Sequence, residues 1–183
     1  MIKVLGLSGS LRRGSYNSAL LRAATRLMPA DSMLEVASIR GIPLYDGDVE
    51  AQGIPAAVHT LKDAIAAADG VLLVTPEYNN GVPGVLKNAI DWLSRPPADA
   101  KRVFGGKPFA ITGATTGGFG TVLAQAAWLP VLRTLGVQTW SGGRLAISRA
   151  ATLFDESGTL KDATSEDQLR QFLGAYVGWL RRA

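Results

Sequence analysis

The sequence predicts an α/β fold: a parallel β-sheet of five strands with helices packed on both faces. Three observations carry that prediction. Strand-like and helix-like patterns alternate along the chain, which implies crossover connections rather than hairpins. The stretch GVLLVT (Gly70–Thr75) is apolar almost throughout and β-branched toward both ends, as a central strand covered on both faces requires. Polar or glycine-rich loops follow the first, third and fourth strand candidates, which is where open sheets of this class bind ligands.

Taken in order, IKVLGLS (Ile2–Ser8) reads as a short buried strand, and Ala19, Leu20, Ala23, Ala24 and Leu27 then recur at helical spacing. LEVASI (Leu34–Ile39) is a second strand, and GIPLYDGDVE is a loop by its Gly, Pro and Asp content. Ile54, Val58, Leu61 and Ile65 mark the next helix, and Gly70–Thr75 the third strand. Pro83 suits the first turn of the helix that carries Val85, Leu86, Ala89, Ile90 and Leu93, because its missing N–H costs nothing there. SRPPADAKRVFGG is expected to be a loop, KPFAITGAT a fourth strand and TGGFGT a tight glycine-rich turn. Residues 120–135 are helical, with Pro130 kinking or restarting the helix. VQTW opens a fifth strand that continues in some form through GRLAIS, and residues 149–164 show no pattern. Leu169, Phe172, Leu173, Tyr176, Val177 and Leu180 stripe the final helix.

The 183 residues, 47% of them hydrophobic, suffice for one domain spanning 1–183 with a full core. A net charge of +4 favours anionic ligands, but without a long basic block no nucleic-acid partner is expected. The absence of cysteine removes disulfides, thiolate catalysis and Cys-based metal sites. The single histidine, His59, lies in a helical stretch, reads as a solvated or capping residue, and cannot build a multi-histidine metal site. The first strand begins within two residues of the N-terminus without the order of a signal peptide, and no apolar run approaches the roughly 20 residues of a membrane span. A soluble, cytoplasmic protein with no membrane contact is expected.

The loop GSLRRGSYN (Gly9–Asn17) has the composition of a phosphate site. Gly6 in the preceding strand and the loop's Gly9 and Gly14 lack the spacing of a dinucleotide-binding loop, and Ser15 stands where a triphosphate-binding loop needs lysine. A flavin mononucleotide (FMN) monophosphate fits better. Ser8, Ser10, Ser15, Asn17 and Ser18 offer short donors, Arg12 a charge-assisted contact, and the N–H groups near Tyr16 the field of a helix terminus. Singly, each of these residues also suits a polar turn with Ser15 or Asn17 as N-cap. PEYNNG (Pro76–Gly81) adds Tyr78 to pack on a flat ring, Asn79 and Asn80 to hydrogen-bond it and main-chain donors for its edge. ATTGGFG (Ala114–Gly120) adds small residues that permit close backbone approach.

On these residues the chain resembles the NADPH-dependent FMN reductases, flavodoxin-like flavoenzymes, and within them most closely the bacterial chromate and quinone reductases. The matching stretches are GSLRRGSYN, IPLYDGDVE, TPEYNNGVPGVLKNAIDWLSR and GKPFAITGATTGG, over roughly the first 120 residues. The resemblance implies a flavodoxin-like three-layer sandwich with strand order 2-1-3-4-5, bound FMN, and NADPH or NADH as co-substrate in a two-step, ping-pong transfer to quinones, chromate, azo compounds or free flavin. It implies that Ser10, Arg12, Ser15 and Asn17 hold the phosphate. Pro76, Glu77, Tyr78 and Asn79 would line the isoalloxazine, with Thr115, Thr116, Gly117 and Gly118 at its other edge. Asn80–Gly81 stands where relatives commonly carry a bulkier or differently polar pair, a difference that bears on access to the ring. Hydride transfer needs no side-chain acid, base or nucleophile, and none is assigned. Arg12, Arg13 and Arg95 are candidates to meet a 2′-phosphate. A homodimer or homotetramer is implied, with residues 40–50, the RPPADAKRVFGG segment, residues 149–164, Trp92 and Trp128 as candidate contacts; the two tryptophans fit core packing equally well. The alternatives are an electron carrier with the same fold and flavin but no nicotinamide site, and a nucleotide-binding regulator without redox chemistry.

Overall fold

Side chains alternate to the two faces of each strand, and here both faces are apolar, so the sheet is buried between two helical layers. All of strand β3 (Gly70–Val74) is buried, with Leu72 and Val74 facing one layer and Val71 and Leu73 the other. The computed structural model describes residues 1–182. Before β3 come β1 (Ile2–Ser8), α1 (Tyr16–Leu27), β2 (Ser32–Ala37), α2 (Gly47–Gln52) and α3 (Ala56–Ala67). After it come α4 (Gly84–Leu93), α5 (Pro97–Phe104), β4 (Pro108–Ala114), α6 (Val122–Thr134), β5 (Gln138–Thr139), β6 (Leu145–Ile147), α7 (Ala150–Leu153) and α8 (Ala163–Leu180).

The strands are parallel in the order β2-β1-β3-β4-β5, with β6 also pairing β4. This is the implied flavodoxin-like order. One core joins α1 and α8 to the sheet through residues such as Leu20, Leu173 and Tyr176; the other joins α3, α4 and α6 through Val58, Ile65, Ile90 and Trp128. Burying each such aliphatic side chain contributes about 1.5–3 kcal/mol before entropy is charged against it.

The fifth strand position is split. β5 pairs Pro108–Phe109 and β6 pairs Thr112–Ala114, and the chain leaves the sheet between them. There Trp140 turns inward and packs edge-on against Phe172 at 5.0 Å. Three segments expected to be irregular contain helix, residues 149–164 among them with α7 and the start of α8. SRPPADAKRVFGG forms α5, started by Pro97 in its first turn and fastened to α3 by ion pairs from Lys62 to Asp99 (3.0 Å) and Arg102 to Asp63 (2.9 Å). GIPLYDGDVE ends in the first four residues of α2, capped where the Asp46 carboxylate accepts from the Asp48 N–H. Pro130 sits exposed inside α6, which runs through it unbroken. Among the described residues no helix is long and apolar enough to cross a membrane.

Candidate functional site

The strand order brings the loops after β1, β3 and β4 together at the carboxyl edge of the sheet. Two glycines make the approach possible. The Gly9 N–H donates to the Val74 carbonyl (2.8 Å), drawing the first loop onto the second, and a Cβ at Gly9 would lie 2.7 Å from Leu86 and 2.8 Å from Pro76. Gly113, near the end of β4, presses on the Thr75 carbonyl and the Thr121 side chain and leaves no room for a side chain.

Between the loops lies a polar cavity of about 200 Å³. The first loop contributes Ser10, Arg12, Ser15, Tyr16 and Asn17, the second Pro76, Glu77 and Tyr78, and the third Ala114, Thr115 and Thr116. Ser15 is the N-cap of α1, its hydroxyl oxygen accepting from the Ser18 N–H at 3.2 Å. A hydroxyl keeps one proton to donate, so capping and anion binding are compatible at this residue. Capping of Ser18, and the bond from the Ala19 N–H to the Ser15 carbonyl (2.9 Å), leave Tyr16 and Asn17 as first-turn N–H groups without an acceptor among the described residues. Arg12 is exposed, lies 5.6 Å from the Tyr16 ring centroid, and among the described residues pairs with no carboxylate. An uncompensated guanidinium, a hydroxyl and a helix N-terminus facing one small cavity form a site for a compact anion.

PEYNNG folds as a two-residue hairpin. Tyr78 and Gly81 exchange N–H···O bonds of 3.1 and 3.0 Å, and Asn79 and Asn80 have φ of 50° and 61°, the pairing of positive φ values found in type I′ turns. Asparagine tolerates that region better than most residues. The turn raises Tyr78 over the cavity with 45% of its surface exposed, its hydroxyl 3.5 Å from Ser10 Oγ. Asn79, Asn80 and Gly81 form the turn rather than the cavity wall.

Two residues expected to contact the ligand are instead committed to the scaffold. Asn17 is buried; its Nδ2 donates to the Ala114 carbonyl (2.8 Å) and its Oδ1 accepts from the Ala114 N–H (2.9 Å). The side chain thus ties α1 to the end of β4, leaving only its main-chain N–H for an anion. Glu77 Oε2 accepts from the N–H groups of Leu123 (2.9 Å) and Ala124 (3.0 Å), capping α6, so its carboxylate anchors a neighbouring element. Ser18 hydrogen-bonds Ser8 at 2.9 Å and lies outside the cavity, as do Gly117 and Gly118. A Cβ at Gly118 would meet nothing within 4 Å, so this loop presents an open surface.

The sequence pattern did not reveal the buttress of the third loop. The Thr115 N–H donates to the Ile147 carbonyl, the Ala150 N–H to the Thr115 carbonyl and the Arg149 N–H to the Gly117 carbonyl, each at 2.9 Å. Arg149 itself stands at φ 49°, a backbone state with no periodic signature. Trp92 and Trp128, named as candidate contacts, are instead fully buried core residues: their indole N–H groups donate to the Pro43 carbonyl (2.9 Å) and to Thr75 Oγ1 (3.1 Å). Phe119 and Leu123, which follow the third loop, are exposed large apolar groups. Arg95 lies against other partners, 5.4 Å from the Tyr45 ring and 3.8 Å from Glu50, and does not line the cavity. A larger apolar depression of about 420 Å³ lies between α6 and Trp140, but it gathers none of the three loops.

Residues 2–152 match the profile of the NADPH-dependent FMN reductases. An NAD(P)H-dependent FMN reductase of Pseudomonas aeruginosa is 49% identical over 181 residues, covering 99% of this chain and 96% of its own. A 2-hydroxy-1,4-benzoquinone reductase of a Burkholderia species is 38% identical over 180 residues, covering 98% and 97% respectively. Among solved structures, the flavoenzyme NAD(P)H:(acceptor) oxidoreductase FerB of Paracoccus denitrificans superposes with a TM-score of 0.89 at 34% identity, covering 100% of this chain and 98% of its own. With the strand order, the three converging loops and these matches together, the chain belongs to the NADPH-dependent FMN reductase family.

Proposed function

We propose that this protein is an FMN-dependent oxidoreductase that takes reducing equivalents from NADPH or NADH and delivers them, in a second half-reaction at the same open face, to quinones, with chromate, azo compounds or free flavin as further acceptors. The observation that carries the reading is the polar cavity where Arg12, without a carboxylate partner among the described residues, meets Ser10, Ser15 and the first turn of α1. At about 200 Å³ it is smaller than the roughly 300–1,000 Å³ of a pocket that encloses a whole ligand. It suits the phosphate end of FMN, with the flat end left to Tyr78 and the exposed Thr115–Gly118 loop.

FMN, when bound, supplies the hydride and electron chemistry. The chain supplies position and charge. Arg12 and the N–H groups of Tyr16 and Asn17 neutralise a phosphate dianion. Ser10 and Ser15 fix its oxygens. Tyr78 offers an aromatic face, and the hairpin beneath it keeps that face from collapsing into the cavity. Asn17 and Glu77 hold the three loops in register. No side chain is assigned a proton-transfer role. Residues 1–183 act as one FMN-binding unit in the cytoplasm. Exposed Phe119 and Leu123, beyond the third loop, are the apolar groups offered to a homodimer or homotetramer contact.

The purified protein is expected to be yellow, to bleach when NADPH or NADH is added without oxygen, and to recover its colour when a benzoquinone follows. A yellow protein that neither donor bleaches is an electron carrier. A colourless protein that takes up no added FMN overturns the reading.

A further inference from the structure

The split in the fifth strand leaves a cavity of its own. Between β5 and β6 the chain leaves the sheet, and about 420 Å³ lies between that segment and α6. This volume falls within the roughly 300–1,000 Å³ of sites that enclose a small molecule. The walls are Ile111, Ala126, Leu129 and the indole of Trp140, a lining that suits a flat apolar body. The indole is fixed in place, its ring centroid 5.0 Å from that of Phe172 and 5.4 Å from that of Tyr176. The chain folds back tightly on it, and a Cβ at Gly143 would lie 2.8 Å from the ring.

Two polar groups interrupt the apolar lining. Gln125 is only 7% exposed. Its Nε2 spends both protons, on Thr121 Oγ1 (3.1 Å) and on the Leu145 carbonyl (3.0 Å). A carbonyl only accepts, so the orientation of the amide is fixed, with Oε1 turned away from these partners. Oε1 has no donor among the described residues, yet no fully buried side-chain polar atom there lacks a partner; this oxygen therefore opens on the cavity that Gln125 lines. The second group is Arg144, which is exposed at the mouth and forms no ion pair among the described residues. No carboxylate lines the cavity.

An apolar slot with an acceptor at depth and a cation at its mouth recognises a flat molecule with a hydroxyl at one end and an anion at the other. We propose that this cavity is a second small-molecule site and that it takes a hydroxyaryl carboxylate. The ring lies against Trp140 and Leu129, the phenolic O–H donates to Gln125 Oε1, and the carboxylate meets Arg144. A second protein surface would cover the mouth but leave the Gln125 oxygen unmet. The cavity shares no residue with the flavin site, so the proposal stands independently of the flavin reading.

The test is calorimetric titration of the FMN-loaded protein with 6-hydroxy-2-naphthoate. One molecule should bind per chain. Binding should weaken by about fivefold or more for 6-methoxy-2-naphthoate, which keeps shape and charge but has no donor, and for 2-naphthol, which has no carboxylate. Arg144→Ala should weaken the hydroxynaphthoate by a similar factor and leave 2-naphthol unchanged; the residue is exposed and unpaired, so the variant should fold as the wild type does. Ala126→Phe, at an exposed position of α6 that lines the cavity, should abolish binding while FMN is retained. No binding, equal binding of the three compounds, or binding that both variants leave intact overturns the proposal. Binding to the FMN-free protein that disappears once FMN is loaded would put the compound on the flavin face. Binding that falls as the chain self-associates, followed by sedimentation over a range of protein concentrations, would give the cavity to a second copy. Either result overturns the proposal. A chain that takes up no FMN defeats the flavin reading alone, and the same titration still decides this site.

Discussion

Asn17 separates two accounts of the phosphate loop, and substituting it decides between them. Its amide makes both hydrogen bonds that the Ala114 backbone directs toward α1, and it is only 4% exposed. In Asn17→Ala a buried N–H and a buried carbonyl lose their partners together. Leaving one such group unsatisfied costs about 1–3 kcal/mol, so the pair, with some recovery from entering water, should cost about 2–4 kcal/mol. For a chain of this length that corresponds to a fall in Tm of roughly 5–12 °C. The measurement is urea unfolding of the FMN-free protein, followed by FMN titration of the same preparation. A scaffold residue should destabilise the apoprotein by that amount. Apo stability within about 0.5 kcal/mol of wild type, with FMN affinity lost, would show the side chain to be a phosphate donor and refute the account given above.

Arg12→Ala should weaken FMN binding by about ten- to hundredfold and leave apo stability unchanged, because Arg12 is exposed and unpaired; Ser15→Ala should do both, losing about 1 kcal/mol of helix cap as well. Equilibrium dialysis against FMN with parallel urea curves distinguishes them, and equal apo destabilisation by the two would contradict the assignment. Gly118→Ala should not alter apo stability by more than about 0.5 kcal/mol, since its Cβ enters open space, but should weaken FMN binding if the ring passes close above; unchanged FMN affinity would remove this loop from the ring site. Asp99 is held down to about 2 by Arg102 first and Lys62 second. Its folded value lies below its unfolded one, so it stabilises the fold above about pH 4 and that contribution disappears as pH falls toward 2. The stability of Asp99→Asn should therefore start lower at neutral pH and fall less steeply over that interval; parallel curves for the two proteins would contradict the argument.

Fold class was legible because the central strands are apolar on both faces and the long helices carry full stripes, whereas the strand order followed only from the resemblance of the loop motifs to the family. α5 was missed because Pro96, Pro97 and Gly105–Gly106 read as loop, whereas the first proline pair initiates the helix and the glycines end it. Its remaining support is tertiary: buried Lys62 reaches Asp99 from α3, a contact that no local pattern announces. The composition of the first loop pointed to an anion, but it could not apportion the polar groups. Ser15 and Asn17 look alike as short donors. Only the position of β4, 97 residues further on, commits the Asn17 amide to Ala114 and leaves the Ser15 hydroxyl its proton. Trp92 and Trp128 were ambiguous for the same reason, since an aromatic residue on an amphipathic helix fits an interface as well as a core until the neighbouring strand is in place.

The polar residues around the site divide by burial, and the division has a functional consequence. Those that are buried bond the scaffold: Asn17 to Ala114, Thr112 to the Leu145 carbonyl, and Gln125 to Thr121 and Leu145. No buried side-chain polar atom among the described residues lacks a partner. The groups that remain uncommitted, Arg12 and Thr116 above all, are those at the surface of the cavity. A chain arranged this way does not need its cofactor to satisfy its interior, so the loops keep their positions without it. Affinity then reflects new contacts to the ligand, with little lost to ordering the protein. The same arrangement makes the flavin-loop arginine separable from the fold, and it is why substitutions at exposed cavity residues should change binding while those at buried ones change stability first.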